Sequence, residues 1–229
     1  MLNFQQKEKI LKKYLGILGK CPLFAGIGED DLCRMLTCLG AKIAAFDKKY
    51  TVFPEGSPAK YIGIVLSGSV QMVRIDYFGN RSILGTAGHG EIFSEAFACA
   101  ETPSLPVSFI ADEPCEIMFI DSGHIIRTCR NGCGFHQQLI FNLMKDLAQK
   151  NLSFHRRIEI TSKRTTREKL LTYLAAEAQK ANSHSFHIPF DRQELADFLE
   201  VDRSGLSAEI GKLKKEGILE NQKNHFVLL

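Results

Sequence analysis

The 229-residue chain has no run of about 18 consecutive apolar residues, so no transmembrane helix is expected and no membrane partner is invoked. Residues 1–20 interleave lysines with Ile10, Leu11, Tyr14 and Leu15. They have neither a continuous apolar core nor a cleavage site, which excludes a signal peptide and points to the cytoplasm. Excess charge is nearly absent: a formal net charge of +3 is too small to argue nucleic-acid binding by itself. Cysteine lacks pattern. Seven residues, an odd count at irregular spacing, read as mostly reduced thiols rather than a disulfide framework. No Ser-His-Asp order, paired-carboxylate signature or phosphate loop occurs, so an enzyme is not expected. What remains is ordinary for a soluble globular protein of one or two domains, with 45% hydrophobic and 24% charged residues.

The most informative stretch lies in the last quarter, from Asp191 to Ile210. Asp191 followed by Glu194 has capping-box spacing. Leu195, Phe198 and Leu199 give the ensuing helix an apolar face, with small Ala196 at a point of close helix approach. Asp202 caps a second helix, in which Leu206, Ile210 and Leu213 recur at the period of a half-buried helix. Arg203, Ser204, Ser207, Ala208, Gly211 and Lys212 fall off that stripe. A slim helix exposing an arginine, hydroxyls and small residues suits the DNA major groove. Spacing alone fits a helical hairpin that only packs equally well. The segments Gly217–Glu220 and His225–Leu229 read as a β-hairpin, which would form a wing after a recognition helix.

This stretch resembles the winged helix-turn-helix of the Crp/Fnr family of bacterial transcription regulators, notably in Arg192-Gln193-Glu194-Leu195-Ala196 and Val201-Asp202-Arg203-Ser204. Many such turns have glycine where this chain has Glu200, because a left-handed residue is needed; a non-glycine there costs about 1 kcal/mol. The resemblance implies DNA contacts from Arg203 as the main base reader, with Ser204, Ser207, Ala208, Lys212 and Arg192 beside it. The segment from Lys145 to Lys169 is strongly basic, and next to such a motif Lys163, Arg164 and Arg167 become candidates for phosphate contacts rather than a merely solvated face.

Upstream, residues 41–121 show short β-rich runs cut by glycine-containing turns, such as Tyr61–Leu66 before Ser67-Gly68-Ser69 and Val70–Ile75 before Asp76–Asn80. Such spacing suggests a small barrel or jelly roll. It resembles the cyclic-nucleotide-binding β-roll of the same family, so the resemblance spans nearly the whole chain. The stretch from Gly85 to Phe93 corresponds to the family's ligand cassette, with Gly90-Glu91 matching its Gly-Glu pair. The effector pocket implied comprises Gly90, Glu91, Ile92, Phe93 and Ser108. Cyclic-nucleotide binders clamp the phosphate with an Arg-Ser pair, but the aligned residues here are Leu105-Pro106, followed by Val107-Ser108. A buried phosphate without its arginine is poorly paired, so cyclic AMP is not the expected effector. A structural turn that binds nothing stays open as the other reading.

From about Gly134 to Ile160 a proline-free run has Ile140, Met144, Leu147, Asn151, Phe154 and Ile158 at alternating steps of four and three, a coiled-coil seam. Leu139 and Leu143 lie on an adjacent face suited to cover the β-roll. The resemblance makes this the dimerisation helix, and a two-fold protein reads two half-sites of a palindrome. Cys129, Cys133 and His136 form C-x3-C-x2-H, but no second ligand pair accompanies them and no metal is assigned. The amino-terminal cysteines, Cys21, Cys33 and Cys38, have the wrong spacing for the family's iron–sulfur cluster, so none is expected. Haem stays open as a cofactor, with Met72, His136, Met144 and His155 as axial candidates.

The expected fold is therefore α+β: an N-terminal double-stranded β-roll (jelly roll) with leading helices over 1–130, a long dimerisation helix over 131–161, and a C-terminal winged helix-turn-helix over 162–229. The expected function is an effector-responsive homodimeric regulator of transcription binding palindromic double-stranded DNA, with an unnamed small-molecule effector and RNA polymerase as a further candidate partner. Two alternatives stay open: a haem- or thiol-based redox or nitrosative-stress sensor of the same family, and a ligand-binding module without sequence-specific DNA binding.

Overall fold

The computed structural model describes residues 13–75, 77, 81–126 and 135–229, with nothing stated for the side chain of residue 81. Cys129, Cys133 and the turn expected at Asn131-Gly132 lie outside the described residues. The chain divides into two compact units, Met1–Gln149 and Lys150–Leu229.

The first unit is a two-sheet roll with a helical layer. One antiparallel sheet has the order β1 (Lys42–Phe46), β8 (Cys115–Asp121), β3 (Tyr61–Ser67), β6 (Ile92–Phe93). The other has the order β2 (Thr51–Phe53), β7 (Ser108–Ala111), β4 (Val70–Ile75), β5 (Arg81–Ala87). β3 is buried along nearly its whole length because both its faces are covered. Its Ile62, Ile64 and Leu66 meet a layer that includes Leu18, Leu32 and Leu36, together with Leu139 and Leu143 from the long helix. Val65 points the other way, toward Phe93, Phe109 and Ile117 between the sheets. Helix α1 (Glu29–Cys38) buries Leu32, Met35 and Leu36 as its sequence period requires, and Leu139 and Leu143 cover the roll as expected. The run Pro22–Phe24 is a 3₁₀ turn with Leu23 and Phe24 buried, so the break in the N-terminal helix is itself part of the core.

Two short helices, α2 (Glu95–Cys99) and α3 (Ser122–Ile126), precede the long helix α4, Phe135–Thr161. Strands β1 and β5 have weak period-2 signals and were not expected from sequence. β5 absorbs Gly85, Thr86 and Ala87, so the glycine-rich turn of the cassette is confined to Gly88–Glu91.

In the second unit, α5 (Thr166–Ala181) leads through β9 (Ser185–His187) to α6 (Arg192–Leu199) and α7 (Arg203–Lys215), followed by the hairpin β10 (Leu219–Gln222) and β11 (His225–Leu228). The sheet order is β10-β11-β9, so the segment before α6 completes the wing as a third strand. Two capping boxes form: Asp191 with Glu194, as its spacing predicts, and Thr165 with Glu168. The core gathers Leu170, Leu174, Leu195, Leu199, Leu206 and Ile210 with Leu213 and Phe226. The architecture is thus a β-roll, a long helix and a winged helix-turn-helix.

One glycine in the roll is fixed by packing. Gly63 pairs with Phe93 across β3 and β6, and a Cβ on Gly63 would lie 2.2 Å from the Phe93 ring. The ring fills the space a side chain would take, and Phe93 sits 5.2 Å from Phe109 and 5.9 Å from Phe53 between ring centroids. Gly63→Ala is expected to destabilise the chain by about 1–3 kcal/mol through overpacking. The drop would be read from the urea midpoint of the first unfolding transition; an unchanged midpoint would show that the ring moves freely.

Candidate functional site

The turn between α6 and α7 aims the second helix. Glu200 ends α6 in the left-handed region, φ 53° and ψ 54°, the conformation inferred from the missing glycine. Lys169 Nζ braces it, donating to the carbonyls of Leu199 at 3.1 Å and Glu200 at 3.3 Å. A cation at a helix C-terminus meets both the unpaired carbonyls and the negative end of the dipole. Asp202 then caps α7, accepting from Gly205 N at 2.8 Å. The same carboxylate accepts from the Ser204 hydroxyl and is held below the usual aspartate range by these hydrogen bonds.

α7 is anchored by Leu206, Ile210 and Leu213, all buried. Arg203, Ser204, Ser207, Ala208 and Lys212 are exposed on its outer face. Arg203 has no side-chain hydrogen bond or ion pair among the described residues. Lys212 approaches Glu209 at 3.5 Å, a loose surface pair worth little. The Ser204 hydroxyl is committed to the cap, which leaves Ser207 as the free hydroxyl of this face.

Arg192, at the start of α6, is half-buried, and its Nη1 is buried without a hydrogen-bond partner. Burial, and then the like charge of Arg203, lowers its pKa. The two guanidiniums are therefore close enough to feel each other, which fits a site prepared for an anion.

The three phosphate candidates around the start of α5 separate. Arg164 is exposed and Lys163 half-buried. Arg167 is not available as expected: its guanidinium forks onto Glu216 at 3.0 and 2.6 Å and reaches Glu209 at 3.6 Å. A bidentate arginine–carboxylate pair is a strong, directional contact, and here it ties α5 to α7. Charge count alone cannot distinguish such a tie from a free cation.

On α4 the exposed apolar residues are Phe141, Met144, Leu152, Phe154 and Ile158, with Ile158 64% exposed. Asn151 is exposed too, and Ile140 is half-buried. Leu147 differs from the expected seam, since it packs against the first unit's core. Phe141, missed in the sequence reading, is 56% exposed. Leu139, Leu143 and Leu147, at steps of four, form the covered row, while Met144, Asn151, Phe154 and Ile158 of the expected seam are exposed.

The cassette residues do not gather on one surface. Gly90 takes φ 81° and is tied into the turn by its N–H to Val65 O at 2.8 Å. Glu91 is exposed, and its carboxylate accepts from Gly88 N at 2.8 Å. Successive strand residues face opposite ways, so Phe93 enters the roll interior while Ile92 packs under the helices. Ile92 therefore drops out of the expected pocket. Ser108 Oγ accepts from Glu55 N at 3.0 Å. Leu105, the position expected for a phosphate clamp, is 2% exposed and packed in the inter-sheet core. A cavity of about 200 Å³ lies elsewhere in this unit, lined by Arg34, Met35, Cys38, Leu39, Phe135 and His136.

The redox candidates are equally scattered. His136 is buried and donates from Nε2 to Ile125 O at 2.7 Å. Met72 lies on β4, partly buried against the inter-sheet core, while Met144 and His155 are exposed on α4. Burial, reinforced by Glu95, pushes the Cys99 thiol up to about 11, and burial with Glu113 raises that of Cys115. Neither is an activated thiolate. Among the described residues no three His, Cys, Asp or Glu side chains group as a metal site. No helix among them is long and apolar enough to cross a membrane.

Comparison with known proteins agrees with this geometry. The family model for the cyclic nucleotide-binding domain matches residues 44–131, and that for the Crp-like helix-turn-helix domain matches residues 168–229. No curated protein sequence matches the chain. Among solved structures, the c-di-GMP responsive global regulator CLP of Xanthomonas campestris is similar at 19% identity and TM-score 0.60, covering 84% of this chain and 95% of that one. FixK2 from Bradyrhizobium japonicum is similar at 19% identity and TM-score 0.54, covering 82% and 92%. The sensor domain of the transcriptional regulator DNR from Pseudomonas aeruginosa is similar at 20% identity and TM-score 0.51, covering 66% and 95%. At these identities the likeness concerns the fold. With a cyclic nucleotide-binding domain ahead of a Crp-like helix-turn-helix domain in one chain, the protein belongs to the Crp/Fnr family of transcription regulators.

Proposed function

We propose that the chain acts as a homodimer that binds palindromic DNA in response to a small-molecule effector other than cyclic AMP. The observation that carries this reading is the division of α7 into a buried row and an exposed row bearing Arg203, Ser207, Ala208 and Lys212. A helix that only packs has no need of an unpaired arginine at its exposed N-terminus. Arg203 is the base reader, to guanine through a bidentate contact. Arg192, Lys212 and Arg164 meet phosphates, and RNA polymerase is a candidate partner.

The second copy docks along α4. Five large apolar side chains on one helix stand exposed in the single chain. Left in water they forfeit the burial that stabilises apolar surface, about 25 cal/mol per Å². Asn151 among them favours a defined register over maximum stability. The sensing domain comprises residues 1–130, the dimerisation helix 131–161 and the DNA-binding domain 162–229.

The case against cyclic AMP rests on Leu105. Its side chain fills the roll interior beside Phe93 and Phe109, so the clamp position supplies neither charge nor space to a phosphate. Glu91 bonds its own turn, as a structural element would. A thiol-based sensor gains no support from Cys99 or Cys115, whose raised pKa values leave them protonated at neutral pH.

Three measurements test these statements. Arg203→Ala should cost about 1–3 kcal/mol on a site selected from random DNA and much less on unrelated duplex. Equal losses on both, read by fluorescence anisotropy at fixed salt, would remove Arg203 from base reading. Ile158→Glu should convert a dimer to a monomer in sedimentation velocity and weaken operator binding more than tenfold, whereas a wild-type monomer at working concentration would refute the dimer. Titration of cyclic AMP into the full chain should give no saturable heat; a saturable site would overturn the exclusion.

A further inference from the structure

The wing carries a pair of histidines that the DNA-binding reading does not use. β9 and β11 run antiparallel with His187 directly opposite His225 and Phe186 directly opposite Phe226. Both phenylalanines are buried in the core. Strand alternation therefore puts the two imidazoles together on the outer face. His187 is exposed and His225 half-buried, and their ring centroids are 4.6 Å apart at an interplanar angle of 47°. Gln222 lies opposite His225 on its other side, and Glu220 shares the exposed face of β10.

We propose that His187 and His225 form a two-imidazole clip for a divalent transition-metal ion of the nickel, copper or zinc class, with water completing the coordination. Metal–imidazole bonds of about 2.0–2.1 Å require the two ligating nitrogens to approach one another to roughly 3 Å. Directly opposed side chains of an antiparallel pair, with Cβ atoms about 4.5–5.5 Å apart, meet that requirement by rotation of exposed rings, without backbone movement. Imidazole is the ligand these ions favour.

The tautomer is provided for as well. Ser185 Oγ lies 3.0 Å from His225 Nε2. When the ring donates from Nε2 to that hydroxyl, its Nδ1 lone pair is left free for the metal, the usual outer-shell arrangement for a ligating histidine. Ser185 opens β9, and its backbone N–H donates to Ser183 Oγ at 3.1 Å. His187 makes no side-chain hydrogen bond among the described residues. Lys223, in the turn between β10 and β11, is the nearest cation in sequence, and Glu220 is the acid of the outer face.

A bound ion would lock β9, which leads into α6, to the wing strand β11, and would add positive charge to a domain that binds a polyanion. That consequence rests on the proposed DNA-binding function; metal binding itself does not, and it is measured without DNA. The probe is nickel(II), titrated calorimetrically into the full chain free of any affinity tag and with its thiols alkylated. One saturable site per chain is expected, weakened at least tenfold in His187→Ala and in His225→Ala and unchanged in His184→Ala. Nickel(II) should also raise the melting temperature of the wild type and not of the double variant, whose melting temperature without metal reports that it folds. Absence of saturable binding, or equal binding in the double variant, would overturn the assignment.

Discussion

A single left-handed residue, Glu200, sets the geometry of the DNA-binding unit. The chain must reverse between α6 and α7 within Glu200–Asp202, and φ 53° at Glu200 is what allows it. For a residue with a Cβ this costs about 1 kcal/mol, so the surroundings must hold it. Lys169 does so from α5, bonding the Leu199 and Glu200 carbonyls, and Arg167 on the same helix forks onto Glu216 at the far end of α7. Two cations two residues apart thus fix the beginning and the end of the recognition element to one supporting helix. The direction in which Arg203 points follows from that support more than from α7 itself.

The roll depends on a comparable economy of space. Phe53, Phe93 and Phe109 occupy the volume between the sheets, and Phe93 lies on Gly63 because only a residue without a Cβ leaves room. Leu105 closes the same core. A ligand entering there would displace close-packed aromatic surface. Packing of this density is bistable rather than continuously deformable. On the proposed reading, an effector would need a rearranged core or a site outside the inter-sheet space, such as the cavity lined by Met35, Leu39 and Phe135.

Much of this was legible in the sequence, and the legible parts share a cause. The capping box at Asp191, the Asp202 cap and the left-handed Glu200 are local: each needs only a few neighbouring residues, and each forms as read. Strands β3, β4 and β8 were readable because they are apolar and bounded by turns. β5 was not, because its pairing with β4 draws in Gly85, a residue whose composition signals a turn. Long-range partners were the blind spot. Arg167 looks like a phosphate contact until Glu216, 49 residues away, takes it. Leu147 looks like seam until the roll claims it, and Phe141, which no pattern singled out, stands 56% exposed.

These reassignments change what the charge of the DNA-binding unit means. The run of basic residues leading into α5 reads as a uniform positive patch, yet Arg157 lies over the Phe198 ring at 5.5 Å and Arg167 and Lys169, in the first turn of α5, serve the fold. Cations already paired inside the protein release no counterions from DNA, so they add nothing to the salt dependence of binding. On the proposed reading, the electrostatic share of affinity falls to fewer groups, chiefly Arg192, Arg203, Arg164 and Lys212. Of these, Arg192 is the one held partly out of water beside a like charge, and its pKa is lowered for that reason. An anion placed between Arg192 and Arg203 would offset the repulsion between them and offer a hydrogen-bond partner to Arg192 Nη1.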